Sequence, residues 1–254
     1  MLPEFPRAVC RNAPTHPCKP LRSGHPQHMT GRDGGPQAYD AGLYVPEGVD
    51  LQGLRDAAAS CHGCPLYQHA TQTVFGFGDV SARVVLVGEQ PGDQEDRRGR
   101  PFVGPAGGVL MRAIDEAGID PAETYVTNAV KHFKFQQAGR GKRRLHKAPG
   151  VREMAACKPW LAAELRLIEP EVVVALGATA GRSLLGSEFR VTKQRGMVLP
   201  MPPLDGDGDE MARGALVATI HPSAVLRAEG ADRAEVYAGL VSDLKVAARL
   251  LSER

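Results

Sequence analysis

"ARVVLVG", residues 82–88, is a continuous apolar run closed by a glycine. A strand with one wet face alternates apolar and polar residues. A run without alternation marks a strand buried on both faces, as in a parallel sheet. Three further stretches share this character: "TYVTNAV" (124–130), "EVVVALG" (171–177) and "GALVATI" (214–220). Helical stretches fall between them. "AGGVLMRAIDEAG" (106–118) stops at a glycine, "VREMAACKPWLAAELRLIEP" (151–170) stops at a proline, and "GATAGRSLLG" (177–186) is shorter. From Asp232 onward, Val236, Leu240, Leu244, Ala247 and Leu251 fall on one helical stripe, and residues 51–60 suit a short helix. Strands alternating with helices imply a parallel sheet covered on both faces. The expected fold is a three-layer α/β/α sandwich, its central, mainly parallel sheet having about four strands, in one domain over residues 46–254.

The ordinary apolar content of the 254-residue chain allows a sizeable core. Residues 1–45 are rich in Pro, Gly, His and Arg without apolar periodicity, and read as a disordered extension. Met29 lies inside it as an alternative start, and Cys10 and Cys18 there read as free thiols. No apolar run approaches the roughly 20 residues of a membrane span, and the N-terminus lacks the apolar core of a secretory signal. No membrane association and a cytoplasmic location are expected. The odd cysteine count, five, argues against a disulfide framework. "DGDGDE" (205–210) lacks the glycine and distal glutamate of a calcium loop and reads as a flexible acidic loop.

Net charge is only +2, yet the stretch from Thr124 to Arg152 contains no Asp or Glu while carrying Lys131, Lys134, Arg140, Lys142, Arg143, Arg144, Lys147 and Arg152. Such asymmetry suits a polyanion such as nucleic acid; a solvated basic loop is the plainer alternative. In sheets of this class, ligands bind beyond the carboxyl ends of the strands. The residues there are Glu89-Gln90-Pro91-Gly92, Lys131-His132, Gly177 and His221-Pro222-Ser223.

Cys61-x-x-Cys64 is a metal-type pair, and Cys157 lies far downstream. Three thiolates need a fourth ligand, with His62, His69 and His132 as candidates; spacing alone favours zinc over an iron–sulfur cluster. Alternatively, Cys157 is only a buried thiol in an amphipathic helix.

"GEQPGDQED", "GRPFVGPAG", "VTNAVKH" and "HPSAVLR", in that order and strand context, resemble family 4 of the uracil-DNA glycosylase superfamily over roughly residues 51–250. The resemblance implies uracil-containing DNA as partner, single-stranded by preference, a monomer that is nucleoid-associated when bound, and a structural [4Fe-4S] cluster. Two departures stand out. Gln90 replaces a small residue after Glu89, and His132 stands where the family has its third cysteine. Together with "KRRLHK" (142–147) they resemble the UdgX subgroup, which becomes covalently attached to uracil-containing DNA through the histidine of a "KRRIH"-type loop. Leu145 replaces the isoleucine, a swap that conserves volume.

The resemblance thus implies Cys61, Cys64, His132 and Cys157 as cluster ligands and His146 as the nucleophile that attacks C1′. Glu89 would orient His146 and stabilise its developing charge, and His221 would donate to uracil O2. Phe102 would stack on the flipped base and Asn128 would read its edge with one donor and one acceptor. Gln90, Gly92 and Ser223 complete the base and sugar contacts. Lys142, Arg143, Arg144 and Lys147 are expected to grip phosphate and to disfavour the imidazolium form of His146. Two competing readings stand beside this one: a turnover glycosylase whose basic insertion only grips DNA, and a cluster-containing binding module without chemistry. A Rossmann cofactor enzyme fails, because "GEQPG" lacks the glycine spacing.

Overall fold

The computed structural model of the protein describes residues 39–139, 143–203 and 214–253. Seven strands occur there: β1 (Val84–Gly88), β2 (Thr124–Asn128), β3 (Phe135–Gln137), β4 (Arg144–His146), β5 (Val172–Leu176), β6 (Val198–Pro200) and β7 (Ala215–Thr219). The α-helices are α1 (Leu51–Ala58), α2 (Asp93–Arg98), α3 (Pro105–Ala117), α4 (Val151–Ile168), α5 (Gly177–Leu185), α6 (Val191–Gln194), α7 (Ser223–Arg227) and α8 (Asp232–Ser252).

The central sheet has five strands in the order β2-β1-β5-β7-β6. Pairings β2–β1, β1–β5 and β5–β7 are parallel, and each parallel strand arises from one of the four apolar runs. The fifth strand, β6, pairs antiparallel with β7 and is only three residues long, ending at Pro200. Its brevity hid it from periodicity, and proline is tolerated there because the strand is an edge.

Alternation explains why β1 is apolar throughout. Val85 and Val87 join a core with Leu54 of α1, Trp160 and Leu161 of α4 and Ala180 of α5. Val84 and Leu86 point the other way, into a core with Leu110 and Ile114 of α3 and Leu240 and Leu244 of α8. Each such fully buried aliphatic stabilises the fold by about 1.5–3 kcal/mol relative to exposure. On α8 the stripe holds as expected: Leu240, Leu244, Ala247 and Leu251 are buried, with Val236 packed at its margin.

Two expectations are corrected. Order begins before residue 46: Gly42–Tyr44 form a short 3-10 helix, Ala41 is buried, and its amide bonds the Ala156 carbonyl of α4 at 2.9 Å. A single buried alanine and one backbone bond leave no periodic signal. The earlier part of the extension, with Cys10, Cys18 and Met29, and "DGDGDE" lie outside the described residues. The basic segment is likewise not a loop. Its residues 144–146 form β4, which pairs antiparallel with β3, Phe135 standing opposite His146. This ribbon is inserted between β2 and α4 and is separate from the central sheet. Among the described residues no helix is long and apolar enough to cross a membrane.

Candidate active site

The carboxyl ends of the parallel strands converge on a cavity of about 590 Å³. Glu89 follows β1, Asn128 ends β2, Gly177 follows β5 and His221 follows β7. Phe102, from the turn before α3, and His146, from the ribbon, also line it. The fold therefore brings Glu89, Phe102, Asn128, His146 and His221 to one place.

Gly88 explains how Asn128 and Phe102 fit together at the strand end. It stands opposite Asn128 in the β1–β2 register. A Cβ on Gly88 would collide with Asn128 Oδ1 and come within 2.7 Å of Phe102 Cζ. Only glycine lets both side chains approach the strand end. Phe102 itself adopts φ 54°, a left-handed conformation uncommon for a bulky residue and characteristic of functional sites. Its ring lies 6.3 Å from that of His221, at an interplanar angle of 27°.

His221 is fixed as one tautomer. The Ser223 amide donates to His221 Nδ1 at 3.2 Å, so Nδ1 carries a lone pair and the proton of the neutral ring sits on Nε2. Burial, opposed by the charge of Glu89, lowers its pKa to about 4. His221 is thus a neutral N–H donor over the physiological range. Ser223, expected to touch uracil or DNA, lines the cavity and holds this imidazole through its amide and through Oγ, 2.8 Å from Nδ1, and takes a hydrogen bond from Arg227.

His146 Nε2 lies 3.2 Å from Glu89 Oε1, and half of its side chain is exposed (50%). The Thr179 hydroxyl donates to the other carboxylate oxygen of Glu89. Burial opposes ionisation of Glu89, but hydrogen bonds from His146 and Thr179 outweigh it and hold its pKa below the ordinary value. Glu89 is therefore an anion that accepts from both neighbours. Thr179 was not singled out in the sequence, although it lies directly after the third apolar run.

Two expected DNA contacts have other work. Gln90 lines the cavity, but its carboxamide ties down the base of the ribbon. Nε2 donates to the carbonyls of Lys134 (3.1 Å) and Lys147 (3.0 Å), and Oε1 accepts from the Lys134 amide (3.1 Å). Arg144 is only 11% exposed and pairs with Asp93 (2.5 Å) and with the fully buried Asp96 (2.6 Å). Its guanidinium also lies 4.9 Å from the Phe135 ring centroid. Arg144 clamps the ribbon onto α2 and is already neutralised. Because side chains alternate along a strand, Arg144 and His146 share one face of β4, and anchoring one orients the other.

The remaining cations also divide. Lys131 is buried against Glu164 (2.5 Å), and Lys134 pairs with Glu153 (2.7 Å). Arg143 and Lys147 are exposed and form no ion pair among the described residues. Lys142 lies outside the described residues. Gly92 caps the start of α2 and lines the cavity.

Cys61, Cys64 and Cys157 carry buried free thiols. Two already accept N–H donors, Cys61 from the Trp160 indole and Cys157 from the Lys131 amide, each at 3.3 Å. Burial raises the Cys157 pKa to about 12, so a cation is needed to hold it as thiolate. Nε2 of His132, the expected fourth ligand, lies 2.9 Å from Thr73 Oγ1. Among the described residues no three His, Cys, Asp or Glu side chains are gathered to hold a metal ion.

A family model described as the uracil DNA glycosylase superfamily matches residues 75–245. The chain is 38% identical over 186 residues to the type-4 uracil-DNA glycosylase of Thermotoga maritima, covering 73% of this chain and 87% of that protein. It is 31% identical over 179 residues to the type-4 uracil-DNA glycosylase of Pyrobaculum aerophilum, covering 70% and 86%. It is 36% identical over 127 residues to the type-5 uracil-DNA glycosylase of Thermus thermophilus, covering 44% and 53%. The chain belongs to the uracil DNA glycosylase superfamily.

Proposed function

We propose that this protein excises uracil from DNA by breaking the N-glycosidic bond, the activity for which its type-4 relatives are named. The convergence of Asn128, Phe102 and His221 at the strand ends carries this reading. A flipped uracil would stack on Phe102 and present its edge to Asn128. As the C1′–N1 bond breaks, positive charge grows on the sugar and negative charge on the base. The neutral Nε2–H of His221 then stabilises uracil O2, the kind of electrostatic term typically worth ~3–4 kcal/mol per donor. Release of free uracil from a uracil-containing single strand tests this, with a His221→Gln variant expected to lose about 100-fold in rate.

Two fates of the sugar follow. In the first, which the relatives' names favour, water attacks C1′ and the enzyme turns over. The second is favoured by one observation, the placing of His146 against Glu89 in the same cavity. Here neutral His146, whose Nε2–H donates to Glu89, attacks C1′ with the lone pair of Nδ1, the C1′–N1 bond breaks, and uracil leaves with the bonding pair. The new bond is C–N, and the proton of the alkylated ring stays on Nε2, against Glu89, which balances its charge. No good leaving group remains on the sugar, so each molecule acts once. Denaturing electrophoresis with excess uracil DNA separates the two: abasic product beyond one equivalent supports turnover, and a denaturation-resistant protein–DNA band supports capture.

A structural [4Fe-4S] cluster on Cys61, Cys64, His132 and Cys157 forms part of this proposal, resting on the three buried thiols. It would cross-link the start of the domain to α4. Zinc without acid-labile sulfide in purified protein would reject it.

A further inference from the structure

The turn Arg98–Phe102 has two sides. Phe102 faces the cavity described above, while Arg98, Gly99, Arg100 and Pro101 form one wall of a second cavity of about 630 Å³. Arg55 and Phe77 also line it. Phe77 is a large aromatic left 46% exposed. It is held rigidly, its amide and carbonyl each bonding Val126 of β2 at 2.8 Å. The Arg100 guanidinium lies 3.5 Å from the centre of its ring, the spacing of a flat stack.

Nothing in the fold requires this arrangement. Arg97 in the same basic run pairs with Asp93, but Arg98 and Arg100 are exposed and form no ion pair among the described residues. Asp56 is the carboxylate on the rim, and it already accepts from Gln52. The cavity thus offers a rigid aromatic, a guanidinium plane laid upon it, and an excess of unpaired positive charge. That combination serves single-stranded nucleic acid: a base stacks on the guanidinium plane, and phosphates meet the arginine N–H groups.

We propose that this second cavity binds the DNA strand that flanks the nucleotide in the uracil site. Phe77 supports Arg100 as a stacking platform, and Arg98 and Arg55 contact phosphate. One turn then serves both cavities, so a strand seated on Arg100 runs directly toward Phe102. The inference rests on DNA as the substrate, and its test reads binding apart from excision.

The full chain is titrated into a labelled, uracil-free single-stranded oligonucleotide at several salt concentrations, as wild type, as the double variant R98A/R100A, and as Phe77→Ala and Phe77→Trp. The double variant is expected to bind about tenfold more weakly, through loss of the stacking platform and of one phosphate contact, with a log–log salt slope shallower by about 0.7, the value for one phosphate contact on a single strand. Phe77→Ala is expected to weaken binding about fivefold and Phe77→Trp to restore it. Folding of each variant is checked by its thermal melt. Wild-type affinity and slope in the double variant overturn the inference, as does a wild type that fails to bind the strand. Uracil release is measured separately on the wild type. Its absence alongside a weakened double variant removes the excision reading and leaves the strand site standing.

Discussion

Oε1 of Glu89 lies 3.2 Å from Nε2 of His146, while its other oxygen is held by Thr179. The pair joins the end of β1 to the end of β4, elements that belong to different sheets. Under the capture reading, His146→Ser abolishes the denaturation-resistant band and leaves uracil release intact, with water occupying the vacated space. A persisting band in that variant would falsify His146 as the nucleophile. Glu89→Gln keeps the shape and removes the charge, and is expected to slow adduct formation about 100-fold in a single-turnover assay.

The ribbon depends on its clamp. Arg144→Ala leaves Asp96 buried with only the Thr71 amide and its own surroundings to satisfy it. Breaking a buried pair in this way is expected to destabilise the protein by about 3 kcal/mol in denaturant unfolding. Arg144→Lys should recover little, because one ammonium cannot span both Asp93 and Asp96 as the guanidinium fork does.

Gln90→Ala removes three hydrogen bonds at the ribbon's base. The Lys134 amide should then exchange its hydrogen faster, about tenfold or more, while amides of β1 and β5 keep their protection. Adduct formation should fall more than uracil release does. Equal loss of both would place Gln90 in base binding after all.

Acid destabilises through His221. Its folded pKa, about 4, lies below the ordinary 6.5, so the unfolded chain takes up this proton first. Stability from this group is complete above pH 6.5, declines as the pH falls through the interval, and changes no further below about 4. Melting temperatures measured across this window should fall less steeply for His221→Gln than for wild type.

Much of this was legible from residue order, for a physical reason. A strand buried on both faces has no polar register, so Val84–Gly88 and its three parallel partners appear as uninterrupted apolar runs. Glu89, Asn128 and His221 then stand out because packing does not call for them at strand ends. The charges misled where their partners were remote. Arg144 sits in an acid-free stretch, yet Asp93 and Asp96 neutralise it from about 50 residues upstream, separations of 51 and 48. Lys131 is similarly matched by Glu164 in the middle of α4. Gln90 was opaque for another reason: its partners are backbone groups, which every residue has. Three-residue β6 and the Gly42–Tyr44 turn are simply too short to carry a period.

Lys134 and Lys147 meet across a single backbone hydrogen bond of 3.0 Å, from the Lys147 amide to the Lys134 carbonyl. The chain therefore leaves the glycosylase body and returns to it at one point, and between these lysines β3 and β4 pair with each other outside the main sheet. His146 belongs to the ribbon while Glu89, Asn128 and His221 belong to the body, so the side chain that the capture reading requires sits on a different part of the chain from the rest of the cavity.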